Sequence, residues 1–156
     1  MSIKPFDLLV FLKESNLIES IPDVKPLEIE AARVLLEKDV IMIQDVQEYV
    51  FTTAGGKALL RDKMGMDVYV GNHEPPPGGP IIRPTLTNIL VEMDNGTNFY
   101  QSHVDYETLH PFMDGNGRSG RLLWLWHMQK NGCGVVSSSF LHTWYYQSLS
   151  KSRCSF

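Results

Sequence analysis

The sequence predicts a mainly α fold, a single helical domain with one small β-hairpin. Three observations lead to this prediction: apolar residues recur at spacings of three and four over seven segments, short Gly- and Pro-rich breaks separate these segments, and one stretch alternates apolar and polar residues. The 156 residues, 43% hydrophobic and 21% charged, suffice for one domain with its own core. We therefore expect residues 1–156 to form a single domain.

The first three helices are predicted from apolar periodicity and from proline positions. Pro5 suits a first helical turn, and Pro26 directly precedes the second apolar repeat. The apolar face of the third helix consists of Val40, Ile43, Val46 and Val50. These helices are predicted over residues 5–19, 27–36 and 40–51.

The four later helices surround a glycine-rich segment. The fifth leads into that segment and the sixth follows it. The sixth is apolar nearly all round, which predicts burial at the middle of the domain, and a run of three serines can cap the last helix. These helices are predicted over residues 84–93, 98–109, 118–130 and 140–150.

Residues 67–80 break the helical pattern. Residues 67–73 alternate and include β-branched side chains, which predicts a short strand. The prolines of residues 74–80 exclude a helix and a central strand. We predict an exposed β-hairpin here, called the flap below, with a plain connection between helices as the alternative. An exposed strand edge can also pair with an extended peptide.

The charge balance argues against two classes of partner. The chain carries 14 Lys and Arg against 18 Asp and Glu, so its net charge of −4 predicts neither nucleic acid nor a membrane as a partner. No apolar run approaches the length of a membrane span. Cys133 and Cys154 form no metal-binding pattern, and a reduced, cytoplasmic compartment is the simpler interpretation. The sequence is compatible with a homodimer.

One stretch, His110–Arg121, carries a mixture of side chains that no hydrophobic core requires. Gly115 and Gly117 can adopt positive φ, so backbone N–H groups can converge at a helix N-terminus, where an anion is favoured. Arg118 and Arg121 are three apart and share a face of the first turn. Because the helix dipole disfavours cations there, two arginines indicate a multiply charged anion such as a polyphosphate.

Residues 115–120 also match the dinucleotide-binding pattern G-x-G-x-x-G. That fingerprint requires a strand directly before it and an acidic residue about 20 positions later. Here the preceding segment is predicted to be helical, and the corresponding downstream region holds serines and no acid. We therefore reject a Rossmann interpretation.

The complete stretch resembles the signature of the Fic family, H-P-F-x-[DE]-G-N-G-R-x-x-R, at every defined position. The resemblance continues outside the signature. Residues 103–109 lead into it as in Fic sequences, residues 70–77 are similar to the family's flap, and residues 144–146 are similar to the aromatic segment of its last core helix. The resemblance implies a Fic-like helical domain over essentially the whole chain.

The resemblance also implies an activity, the transfer of AMP from ATP to a hydroxyl group of a target protein. His110 would be the general base for a Ser, Thr or Tyr hydroxyl. Asp114 would hold Mg²⁺ between ATP phosphates, with an N-cap of the central helix as the alternative. The expected catalytic residues are His110, Asn116 and Arg118. The expected ATP- and phosphate-binding residues are Gly115, Asn116, Gly117, Arg118 and Arg121. The flap residues expected to align the target are Val68, Tyr69, Val70, Gly71, Asn72 and His73.

The resemblance further implies that residues 1–22 form an inhibitory helix. Many Fic proteins carry the pattern [ST]-x-x-x-E-[GN]; Ser15 and Glu19 match it, whereas Ser20 replaces the usual Gly or Asn. Glu19 would pair with Arg121 and block productive binding of the γ-phosphate. A solvated acidic face is the alternative.

Other functions on the same scaffold stay open at this point. They are transfer of UMP, GMP, phosphate or phosphocholine, removal of AMP, and nucleotide sensing without catalysis. The intact glycine turn favours nucleotidyl transfer, and a pure binding module would not need His110.

Overall fold

The structure, a computed structural model, describes residues 5–96 and 98–131. This part of the chain contains the helices α1 (Pro5–Ile18), α2 (Pro26–Leu36), α3 (Ile43–Ala54), α4 (Ile82–Asp94), α5 (Phe99–Leu109) and α6 (Asn116–Lys130). The prediction of a mainly α fold is confirmed. The predicted helix over residues 140–150, both cysteines and the aromatic residues 144–146 lie outside the described residues.

The third helix begins and ends three residues later than its predicted bounds. Its start is fixed by Asp45, whose carboxylate accepts a hydrogen bond from the Met42 N–H at 2.8 Å. Val40 therefore precedes the helix, and 52% of its surface is exposed. At the other end, the Thr53 hydroxyl donates to the Tyr49 carbonyl at 3.0 Å, and the helix continues to a Gly55 with φ of 89°.

Helix α6 lies at the centre of the fold, as its apolar pattern predicted. It packs against α1, α2, α3 and α5, and every side chain from Leu122 to His127 is buried. The Trp126 indole donates a hydrogen bond to the Lys38 carbonyl at 2.8 Å, so even its polar edge has a partner. The first turn of α6 is therefore held from several sides by other helices.

The connection between α3 and α4 passes alongside the glycine-rich loop. Leu60 and Phe112 form an isolated antiparallel bridge. The Arg61 N–H donates to the Pro111 carbonyl, and the Met113 N–H donates to the Leu59 carbonyl, both at 2.9 Å. This pairing attaches the loop that precedes α6 to a second segment of backbone.

The predicted strand over residues 67–73 is wrong. The flap contains one isolated bridge, between Val70 and His73, and no paired strands within the described residues. Pro75, Pro76 and Pro77 lack the N–H groups that a second strand would need, which explains why the ladder stops. Instead, the His73 imidazole donates from Nε2 to the Thr108 carbonyl of α5 at 2.9 Å.

None of the helices in the described part of the chain is both long and apolar enough to cross a membrane.

Candidate active site

The glycine-rich loop joins the C-terminus of α5 to the N-terminus of α6. His110 caps α5 in the left-handed conformation, with φ of 51° and ψ of 62°, and its N–H donates to the Tyr106 carbonyl at 3.0 Å. Gly115 precedes α6 with φ of 79°, and a Cβ there would lie 3.0 Å from the Ala54 side chain. Conformation and space together therefore require glycine at this turn.

The first turn of α6 has the free N–H groups on which the predicted anion site depends. Its first N–H groups, from Asn116 onward, have no carbonyl of their own helix to bond, and the helix dipole adds positive potential. The Asn116 side chain supports the loop: its Oδ1 accepts from the Phe112 N–H at 2.8 Å, and its Nδ2 donates to the Phe112 carbonyl at 2.7 Å. Both polar atoms of this amide bond the loop backbone, and the phosphate-binding role of Asn116 stays a prediction.

Arg121 is held by the end of α1. Its Nε donates to the Ser15 hydroxyl at 2.7 Å, and its Nη2 donates to the Ser15 carbonyl at 3.0 Å and to Glu19 Oε1 at 2.7 Å. The guanidinium is almost fully buried, whereas the Glu19 side chain is 39% exposed. The structure thus brings Arg121 into contact with Ser15 and Glu19, which lie 106 and 102 positions earlier and which the sequence analysis had assigned to the inhibitory pattern.

The Glu19 carboxylate also lies against Gly117. A Cβ built on Gly117 would overlap Glu19 Oε1 and would lie 3.0 Å from Arg121 Nη1. A carboxylate, itself an anion, therefore occupies the space beside the helix N-terminus and the arginine fork. An incoming phosphate that used the same groups would have to displace it.

Arg118 points to a different part of the structure from Arg121. Its Nη1 donates to the Thr53 carbonyl at 2.9 Å and lies 3.5 Å from Glu28 Oε1, and both charged side chains are buried. The two arginines are three apart in α6 but contact different helices, so the structure does not bring them to one point. The phosphate-binding role of Arg118 stays a prediction.

Asp114 lies on the exposed side of the loop, directly before Gly115. Its Oδ1 accepts a hydrogen bond from the Gly115 N–H at 2.7 Å. Within residues 5–96 and 98–131, no group of three or more His, Cys, Asp and Glu side chains is arranged to hold a metal. A single exposed carboxylate fits Mg²⁺, which commonly takes one or two carboxylates and completes its shell with phosphate oxygens and water.

Arg61 is the residue at this site that the sequence analysis missed. Its side chain is fully buried, and it donates four hydrogen bonds, all to backbone carbonyls. The acceptors are His110 at 2.7 Å, Leu109 at 2.9 Å, Met66 at 3.0 Å and Pro76 at 3.0 Å. Burial lowers the pKa of Arg61 from its usual value, and the Asp67 carboxylate opposes that shift. The only sequence signal was a lone arginine in a glycine-rich connection, which is usually a surface residue.

Two buried side chains of α5 contact the first turns of α6. The Tyr106 hydroxyl bonds Ser119 Oγ at 2.7 Å, and burial raises the pKa of Tyr106. His103 donates from Nδ1 to the Gly120 carbonyl at 3.2 Å, and burial, assisted by the Arg121 charge, lowers the pKa of His103 to about 3. Both pKa shifts favour the neutral form of these side chains, and their hydrogen bonds attach the start of α6 to α5.

Comparison with known proteins identifies the family of this chain. The model of the Fic/DOC family matches residues 35–128, more than half of the chain. The match contains the flap, the loop and most of α6. Ser15 and Glu19 lie outside it.

Proposed function

Since this chain belongs to the Fic/DOC family, we propose that it is a protein adenylyltransferase that moves AMP from ATP to a Ser, Thr or Tyr hydroxyl. Its α1 segment would inhibit this activity. One observation carries the proposal: the Glu19 carboxylate occupies the space beside Gly117 and Arg121, at the helix N-terminus that suits a polyphosphate. The intact glycine turn and the adjacent His110 supply the groups that nucleotidyl transfer requires.

The mechanism uses groups that the fold already holds in place. The acceptor hydroxyl oxygen attacks the α-phosphorus of ATP, His110 takes the hydroxyl proton, and the bond to pyrophosphate breaks. Backbone N–H groups of Asn116 and Gly117 stabilise the negative charge that develops on the phosphate oxygens. Arg121 binds the terminal phosphates and stabilises the departing pyrophosphate. Asp114 would hold Mg²⁺, which neutralises phosphate charge when it is bound.

Inhibition follows from direct competition for Arg121. A guanidinium that already donates to Glu19 and Ser15 has few donors left for a γ-phosphate. ATP could still enter the site, but its terminal phosphates would lie away from the fork and the α-phosphorus would be out of line with the acceptor. Release of Glu19 from Arg121 would let the terminal phosphates bind Arg121 and would bring the α-phosphorus into line with the acceptor.

The flap is the proposed docking place for the target protein. Tyr69 is 82% exposed, and the backbone around Val70 and His73 forms a single bridge rather than a saturated ladder. Flap backbone outside this bridge would pair with an extended segment of the target and bring its hydroxyl to His110.

The first prediction concerns Glu19→Gly. We expect at least about a tenfold gain in self-labelling with α-phosphate-labelled ATP and Mg²⁺, the factor that about 1.4 kcal/mol of lost competition produces. The double variant Glu19→Gly/His110→Ala should take up no label. Glu14→Gly is the control, because it removes an acidic side chain from the same N-terminal segment, and no contact of Glu14 with Arg121 is seen.

Each component of the proposal has its own contradicting result. Equal labelling of Glu19→Gly, Glu14→Gly and the wild-type protein would refute inhibition by Glu19. Label that persists after His110→Ala would refute the general base. Parallel reactions with labelled UTP and GTP identify the nucleotide, and stronger labelling by either would replace AMP in the proposal.

A further inference from the structure

The position of His110 depends on a residue outside the signature. His110 ends α5 in the left-handed conformation, which is uncommon for a residue other than Gly, Asn or Asp and costs about 1 kcal/mol or more. Such a conformation persists only when surrounding contacts fix it. One of these contacts is the 2.7 Å hydrogen bond from Arg61 Nε to the His110 carbonyl.

The same guanidinium also holds the base of the flap. It donates to Met66, just before the flap, and to Pro76, within its second half. The Arg61 carbonyl accepts from the Gly79 N–H at 2.9 Å. Gly78 packs so closely there that a Cβ would lie 2.9 Å from the Lys63 carbonyl oxygen and would overlap that of Met66. The start of the flap and its proline segment are therefore both held by the Arg61 side chain, and its end is held by the Arg61 backbone.

A second bond from the flap reaches the same helix end. The last carbonyls of α5 have no partner within the helix, and they are bonded in order: Thr108 by His73, and Leu109 and His110 by Arg61. A cation at a helix C-terminus is also favoured by the dipole. The segment that would bind the acceptor and the residue that would take its proton are thus connected through Arg61.

We infer that Arg61 is a positioning residue of the reaction: it fixes the distance and orientation between the flap and His110. The inference rests on the proposed function, because it assumes that an acceptor hydroxyl meets His110 beside the flap. Loss of the Arg61 guanidinium would leave nucleotide binding intact, since none of its hydrogen bonds reaches Gly115, Gly117 or Arg121. It would misplace the acceptor relative to the base.

The test compares Arg61→Lys with Arg83→Lys, both in the Glu19→Gly background. Lysine keeps the charge but cannot donate to four carbonyls in different directions. Arg83 is the control, because its half-exposed guanidinium pairs with Asp62 at the surface. For Arg61→Lys we expect kcat of self-labelling to fall about 10- to 100-fold, with the KM for ATP within twofold of the parent. Arg83→Lys should change neither.

One further measurement and one further variant keep the result decisive. The ring signals of His110 in an ¹H–¹⁵N spectrum should shift in Arg61→Lys and stay unchanged in Arg83→Lys. This measurement needs no turnover, so it tests the positioning role even if the Glu19→Gly parent transfers no label and the proposed function fails. If Arg61→Lys does not fold, Gly78→Ala displaces the flap from the other side, and the same fall in kcat is expected.

An unchanged kcat in a folded Arg61→Lys, with unshifted His110 signals, would overturn the inference. A rise in the KM for ATP that accounts for the whole loss of activity would also overturn it, because Arg61 would then support nucleotide binding.

Discussion

Arg121 is the single residue on which the proposed regulation depends. At the end of α1, Ser15 and Glu19 offer its guanidinium three acceptors. Only one of them, the Glu19 carboxylate, is charged and partly exposed, so it is the contact that a phosphate can most readily replace. Ser15 supplies the other two, from its hydroxyl and its carbonyl, and these hold the arginine in position for Glu19.

This arrangement predicts an order among variants. Ser15→Ala removes the hydroxyl acceptor of Nε but keeps the Ser15 carbonyl and Glu19, so we expect self-labelling about two- to fivefold above wild type. That value lies between wild type and Glu19→Gly. Lys13→Ala, an exposed change in the same helix, serves as the control. Labelling of Ser15→Ala equal to that of Glu19→Gly would mean that the hydroxyl, rather than the carboxylate, dominates the inhibition.

The helical elements were largely predictable from apolar periodicity and the breaks around it. All six described helices were expected, and α6 was correctly placed at the centre because its apolar residues run round the whole helix. The start of α3 was wrong, because periodicity includes Val40 whereas the capping carboxylate of Asp45 begins the helix at Ile43. Local hydrogen bonding determines where the helix starts, and the spacing of apolar residues carries no information about it.

The sequence identified most residues of the candidate site, but it did not identify most of the groups that they contact. The signature located His110, the glycine turn and Arg121, and the N-terminal pattern linked Glu19 to Arg121 as the structure shows. Arg61 could not be found, because all four of its side-chain acceptors are backbone carbonyls, which carry no sequence identity. The partners of Arg118 also depend on how α2 and α3 pack on α6, which spacing within α6 cannot reveal.

Helix α2 supplies a further prediction. Glu28 accepts from the Lys25 N–H at 2.6 Å and pairs with the buried Arg118 of α6. Glu28→Ala would leave a buried guanidinium without its counter-charge, so we expect the free energy of unfolding to fall by about 3 kcal/mol. Glu30→Ala removes an exposed partner of Arg33 in the same helix and should change it by at most about 0.5 kcal/mol. Urea denaturation measures both, and equal effects would show that the Glu28–Arg118 pair contributes nothing beyond a surface pair.

On the scale of the whole molecule, α6 connects the proposed regulation to the fold. Its first turn contains the proposed anion site. Arg121 reaches α1, Arg118 reaches α2 and α3, and the body of the helix packs on α5. Displacement of α1 from Arg121 therefore need not disturb the other contacts of α6. A local release of this kind fits a regulated enzyme, because the core helices keep the catalytic loop in place.

The α5–α6 contact also links stability to pH through His103. Burial lowers the pKa of His103 from 6.5 to about 3, so the folded protein favours the neutral imidazole while the unfolded chain binds a proton below pH 6.5. The neutral His103 imidazole contributes fully to the free energy of unfolding above pH 6.5. This contribution is lost as the pH falls from 6.5 towards 3. The slope for one such group approaches about 1.4 kcal/mol per pH unit.

His103→Asn tests this linkage, because the Asn amide can donate to the Gly120 carbonyl as Nδ1 does but does not titrate. We expect the free energy of unfolding of the wild-type protein to fall more steeply between pH 6.5 and pH 4.5 than that of the variant, by about 1 kcal/mol per pH unit. Carboxylates titrate in both proteins and cancel in the comparison. Between pH 7 and pH 8 the two slopes should agree, which is the internal control. Parallel slopes over the acidic range would show that the His103 imidazole gains its proton without unfolding, by an opening of the contact between α5 and α6.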